Sequence, residues 1–152
     1  MNDKITIYTP DEAGDKLMVS DLITSMYGGI ALMMRAQQRK LHPDVIELAS
    51  NLETDHTKLT EELKMYASDK GWLIPAGEVD ADVANREEMA KLDNTTYQQH
   101  WLKALEERHQ LNITRLENAV PSDSKLQSMG EKGLSKLKDL LSDISDTESK
   151  VS

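Results

Sequence analysis

Residues 45–66 read VIELASNLETDHTKLTEELKMY, and their periodicity decides the fold. Val45, Leu48, Leu52, His56, Leu59, Leu63 and Tyr66 return every three or four residues, which places them on one face of an α-helix. His42-Pro43-Asp44-Val45 supplies a start, with proline in the first turn and an acidic residue facing the helix dipole. Gly71 follows Lys70 and supplies a stop. A helix of this extent spans about 40 Å at about 1.5 Å per residue, the length of a full bundle helix.

Working outward, each of the other three prolines also opens a segment. Thr9-Pro10-Asp11-Glu12 reads as a capping box with proline at the first helical position, predicting a helix to about residue 40. Met18, Leu22, Met26, Ile30 and Met33 form its stripe. Arg35, Arg39 and Lys40 suit its C-terminal end. After Gly71 the stretch 71–80 (GWLIPAGEVD) reads as a loop, and residues 81–92 predict a short helix capped by Asp80. Residues 95–119 predict a third long helix, with Tyr97, Trp101, Leu105, His109, Ile113 and Leu116 on one face. Beyond Pro121, Ser122 is the expected cap of a last helix carrying Leu126, Met129, Leu134, Leu137 and Leu141. The final SDTESKVS is polar and expected to fray.

The fold class that follows is all-α. It is a ferritin-like four-helix bundle with a long crossover, containing a short helix, between the second and third long helices. Residues 1–10 are expected as an N-terminal arm, 11–145 as the bundle and 146–152 as a polar tail.

Composition narrows the function. The chain has 152 residues, enough for one domain with a proper core. With 38% hydrophobic and 30% charged residues it suits a globular protein. There is no Phe, so eight Met and many Leu fill the interior. A net charge of −9 repels phosphate backbones and anionic headgroups, which argues against nucleic acid as a partner. The absence of Cys excludes disulfides, thiolate metal sites and cysteine nucleophiles. No apolar run of signal-peptide length opens the chain, and no later segment is expected to span a bilayer, so membrane insertion is not expected. The expected location is cytoplasmic, or periplasmic if a leader has been removed. No phosphate-binding glycine loop or serine elbow occurs, and the glycosylation-type triplets at Asn94 and Asn112 carry no weight, Asn112 lying inside a helix.

Two stretches carry candidate chemistry. Glu53 precedes His56 by three residues, and Glu106 precedes His109 by three. Residues so spaced share a helix face, and Glu-x-x-His is how carboxylate-bridged di-iron and di-manganese sites are built in bundles. Glu53, His56, Glu106 and His109 are therefore the candidate ligands for iron or manganese. The simpler reading makes both histidines structural, hydrogen-bonded to Glu53, Glu106 or Asp55 within apolar stripes. It is favoured by a shortage of partners, since a di-metal centre needs a glutamate from each remaining long helix. Residues 26–35 (MYGGIALMMR) offer none, and the last helix has only Glu131 near its start, with Asp139 and Asp143 beside the stripe. Met18, Met26, Met33 and Met34 with a histidine compose a soft set for Cu(I), although Met at core spacing in a chain without Phe is far more often packing, and packing is the expectation. His42 is expected at a helix start and His100 off the main stripe.

The stretch 45–75 (VIELASNLETDHTKLTEELKMYASDKGWLIP) resembles the hallmark block of a bacterial ferritin-like domain of unknown function, often labelled an outer membrane protein. Its Asp-His pair matches Asp55-His56 and its Gly-to-Pro loop matches residues 71–75. Tyr97, Trp101 and His109 match a second block. The similarity spans about residues 20–120. It implies a ferritin-like fold and, in most members, export. The chain departs from it at Ile30-Ala31-Leu32, where members commonly carry a glutamate after the glycine pair, and at Tyr97-Gln98, where Phe-Asp is common. The resemblance implies no settled activity. The functional expectation is a non-enzymatic bundle acting through its surface or a protein partner. A metal protein is the alternative, and a homodimer pairing exposed apolar strips is a third.

Overall fold

A computed structural model describes residues 7–151, so most of the arm expected at 1–10 lies outside the described residues, as does Ser152. The described residues form α1 (Glu12–Ala36), α2 (Pro43–Asp69), α3 (Asp80–Ala90), α4 (Asn94–Asn118) and α5 (Ser124–Val151). Together the described residues make an all-helical bundle of four long helices with one short helix between the second and third.

The local signals set most boundaries. α2 begins on Pro43, and the His42 ring accepts the Asp44 N–H at 3.1 Å. It ends in a Schellman motif: Gly71 has φ +72°, its N–H reaches Ser68 O at 3.0 Å, and the Trp72 N–H reaches Ala67 O at 2.9 Å. Asp93 caps α4 by accepting the Thr96 N–H.

Some ends shift. The cap of α1 is Asp11, which accepts the Gly14 N–H at 2.9 Å, and Thr9 only donates to Asp11. The helix stops at Ala36, ahead of the expected residue 40. Asp80 lies in the first turn of α3, and Val79 takes the cap position with no side-chain hydrogen bond. Ser122 does not cap α5; its N–H and hydroxyl bind the buried Asp15 carboxylate, at 3.1 and 2.6 Å, and pin the α4–α5 loop to the start of α1. The stretch expected to fray is helical through Val151, because Ile144 and Thr147 extend the buried stripe. That stripe runs through Leu137 and Leu140, leaving Leu134 and Leu141 half-buried.

Pairs between helices give their directions. Gln37 meets Glu53 and Met26 meets Thr60, so α1 and α2 are antiparallel. Leu32 meets Trp101 and Ser25 meets Asn112, so α1 and α4 are antiparallel as well. α2 therefore runs parallel to α4, and the chain between them returns along the bundle, α3 lying on α1 and α4. Neighbours around the bundle are α1–α2, α2–α5, α5–α4 and α4–α1, which puts α2 and α4 on one diagonal.

Two apolar clusters fill the interior. One gathers Leu32, Met33, Leu48, Leu52, Trp101, Leu105, Leu140 and Ile144. The other gathers Met18, Leu22, Ile23, Met26, Leu63, Tyr66 and Leu126. By length and composition α1 could cross a membrane, with an apolar window of mean hydropathy 1.4, which corrects the expectation that no segment could. Here it is packed as a bundle helix, with 56% of that window buried. The sequence reading missed it because Ser20, Asp21, Ser25 and the Gly28-Gly29 pair interrupt the apolar run.

Candidate functional site at the bundle centre

Between the two clusters lies a layer of buried polar side chains: Ser25 from α1, His56 and Thr60 from α2, His109 and Asn112 from α4. The two histidines project from diagonal helices and meet, ring centroids 4.7 Å apart, with planes inclined at 72°. They are only 2% and 1% exposed.

The tautomers follow from hydrogen bonding. His56 Nδ1 lies 2.9 Å from Leu52 O, and His109 Nδ1 lies 2.7 Å from Leu105 O. A carbonyl can only accept, so each Nδ1 carries the proton and each Nε2 carries a lone pair. His109 Nε2 is buried without a hydrogen-bond partner. Burial pushes the His56 imidazole down to about 3, with the neighbouring His109 and the Arg108 charge adding to it and the Leu52 carbonyl opposing. Burial lowers His109 in the same way, with Arg108 adding a smaller push against the Leu105 carbonyl. Both rings are neutral at physiological pH.

The two glutamates of the Glu-x-x-His elements are engaged elsewhere. Glu53 accepts from Gln37 Nε2 at 2.7 Å, at the α1–α2 seam. Glu106 faces Glu148 of α5, whose carboxyl is pushed up to about 7 by burial first and by the neighbouring Glu106 carboxyl second. Asp55 pairs with Lys136 of α5 at 3.4 Å. Histidine and glutamate three apart do share a helix side, but the side is wide: the rings point at the bundle axis and the carboxylates at the seams. Among the described residues no three of His, Asp and Glu converge as metal ligands. His42 caps α2, and His100 is exposed.

Sequence reasoning missed the polar lid over this layer. Arg108 donates to Ser25 O at 2.8 Å and to Asp82 Oδ1 of α3 at 3.0 Å. Asn112 donates to the Ser25 hydroxyl at 3.1 Å and accepts from Arg115 at 2.8 Å. Room for Arg108 and Asp82 comes from Gly28 and Gly29, where an added Cβ would meet their side chains. A glycine pair inside a helix and an Asn inside an apolar stripe were the available signals. Each marks a close approach or a buried polar contact.

A family model for a domain of unknown function, DUF4142, matches residues 8–146. The chain belongs to this family. No curated protein and no solved structure matches it. In this DUF4142 chain the matched residues include the whole polar layer and all the residues of its lid.

Chemically, the layer offers two neutral imidazoles with lone pairs on Nε2, that of His109 buried and unpartnered, together with a thioether and a shielded guanidinium. Thr60 Oγ1 lies 2.7 Å from His56 O and 3.3 Å from Met26 Sδ. One hydroxyl proton serves one acceptor, and the carbonyl is the stronger, so the Met26 sulfur lone pairs stay uncommitted.

Proposed function

We propose that this DUF4142 protein is a non-enzymatic bundle of ferritin-like connectivity, acting through its surface or a protein partner, with His56 and His109 structural in the resting state. The bond of Glu53 to Gln37 carries this reading, and with Glu106 turned toward Glu148 no carboxylate among the described residues converges with the histidines as a bridged di-iron or di-manganese centre requires. The antiparallel α1–α2 and α4–α5 pairs with one full-length crossover support the ferritin-like part. The net charge of −9 supports a partner other than nucleic acid. The burial of α1 supports a core helix in an aqueous compartment over membrane insertion.

The test is a melting experiment on chelator-stripped protein with anaerobic Fe(II) and with Mn(II). A ligand that binds only the folded state raises the melting temperature. Neither metal is expected to raise it. A rise that disappears in a His56→Ala, His109→Ala double variant would overturn the reading.

A second reading has its own support. The unpartnered, buried Nε2 of His109 lies beside a second imidazole in the same tautomer, so a cation between the rings would engage that lone pair.

A further inference from the structure

We infer that the bundle centre is a site for a soft monovalent cation, Cu(I) or its redox-inert stand-in Ag(I), held by His56 Nε2, His109 Nε2 and the Met26 thioether. The inference rests on the second reading above and specifies the metal class.

The donor set argues for this class. Every donor is neutral, and imidazole and thioether together are the ligands that prefer soft, low-charge ions. A divalent ion would enter a buried layer with no carboxylate to offset it, beside the Arg108 guanidinium. A single positive charge costs less there, and Asp82 already compensates Arg108 at 3.0 Å. The donors are also free. The Nδ1 atoms are tied to Leu52 and Leu105, which orients both rings and fixes the lone pairs on Nε2, as backbone carbonyls do for histidine ligands generally. The Met26 sulfur is passed over by Thr60 in favour of His56 O.

The ring spacing is close to what such a site needs. Two imidazoles bound at about 2.0 Å in a roughly trigonal three-donor arrangement would hold their centroids about 5.4 Å apart. The observed 4.7 Å leaves less than about 1 Å to be made up by χ1 and χ2 adjustments of the two rings. Met26 is unbranched with flexible torsions and lies on α1 beside Thr60, one helical turn from His56.

The experiment is an Ag(I) titration of the full chain, ¹⁵N-labelled, in chloride-free buffer. It follows the imidazole nitrogens by NMR and the melting temperature in parallel. At one equivalent both Nε2 resonances are expected to shift together while both Nδ1 resonances keep the protonated signature, and the melting temperature is expected to rise by several degrees. Met26→Leu keeps the core volume and is expected to fold, yet to weaken Ag(I) binding at least tenfold. Unmoved Nε2 resonances at one equivalent would overturn the site, because a thermal shift alone could come from the exposed Met34 and Met65. Unchanged affinity in Met26→Leu would overturn the three-donor assignment. A response to Ag(I) without one to Fe(II) or Mn(II) leaves the absence of a di-iron centre intact, so the two readings fail separately.

Discussion

Asp82 of α3 occupies the space that a side chain at Gly28 of α1 would fill: a Cβ there would stand 2.3 Å from Asp82 Oδ2. The glycine is what lets the crossover helix dock and complete the ion pair with Arg108 over the polar layer. The two side chains of that pair are 14% and 22% exposed, so separating them strands a largely desolvated charge.

Gly28→Ala should therefore destabilise the fold. Ala gains about 1 kcal/mol of helix propensity over Gly, and the displaced ion pair outweighs it, for a net loss of about 1–2 kcal/mol. Urea unfolding measures the sum. The sharper check is the same substitution in an Asp82→Ala background, where the obstruction is gone and Gly28→Ala should become neutral or stabilising. If the loss persists there, the docking account of Gly28 is wrong.

The histidine pair predicts acid lability. The folded pKa of His56 lies at about 3, below the ordinary 6.5, so between those values the unfolded chain binds more protons than the folded one. Stability from this group is complete above 6.5 and is lost as the pH falls toward 3. At pH 5 His56 alone costs about 2 kcal/mol relative to pH 7, at about 1.4 kcal/mol per pH unit. His109 shifts in the same direction and adds to the loss. Urea midpoints at pH 7, 6 and 5 should fall steadily, and a flat profile would show that the rings accept protons without opening the bundle.

How much of this was legible depends on range. The ends of α2 were written locally, in His42-Pro43 and Gly71, and helical periodicity found the faces that carry His56 and His109. Both stripes were visible because each residue's burial follows from its own helix. Pairing was not visible. That Glu53 turns to Gln37, or Glu106 to Glu148, depends on which helices become neighbours, and no spacing within one helix records that. Glu148 was assigned to a frayed tail because its surroundings are polar; Thr147 and Ile144 hold it against α4 through contacts made some forty residues away in sequence. The same limit hid Arg108, whose partners come from α1 and α3.

Trp101 ties the cluster around Leu48, Leu52 and Leu105 to α1. It is fully buried, and its indole N–H reaches Leu32 O at 3.0 Å across the α1–α4 seam. Trp101→Phe removes one ring and the donor together, leaving a cavity and one carbonyl bond unmade. A loss of about 2–4 kcal/mol is expected. Chemical denaturation reads it, with Trp72 left as the fluorescence reporter. A cost below about 1 kcal/mol would mean that the core closes around the smaller ring.

The carboxyl pair at the α4–α5 seam opposes the histidines. Glu148 has its folded pKa raised from 4.5 to about 7 by burial and by Glu106, and one of its oxygens is buried without a partner. A raised carboxyl contributes stability that is fully present below 4.5 and disappears as the pH climbs through 7. Above 7 Glu148 carries its charge within the seam beside Glu106, and the last turns of α5 should loosen from α4. Glu148→Gln keeps the shape, offers an N–H to Glu106 and removes the repulsion. It should raise the melting temperature at pH 8 and leave it little changed at pH 5, the reverse of what loss of the histidines does. Amide exchange in the last two turns of α5 provides the local check, speeding up between pH 6 and 8 beyond the intrinsic rate in the native chain and not in Glu148→Gln. Equal exchange in the two proteins across that range would mean that the seam holds the Glu148 charge without strain.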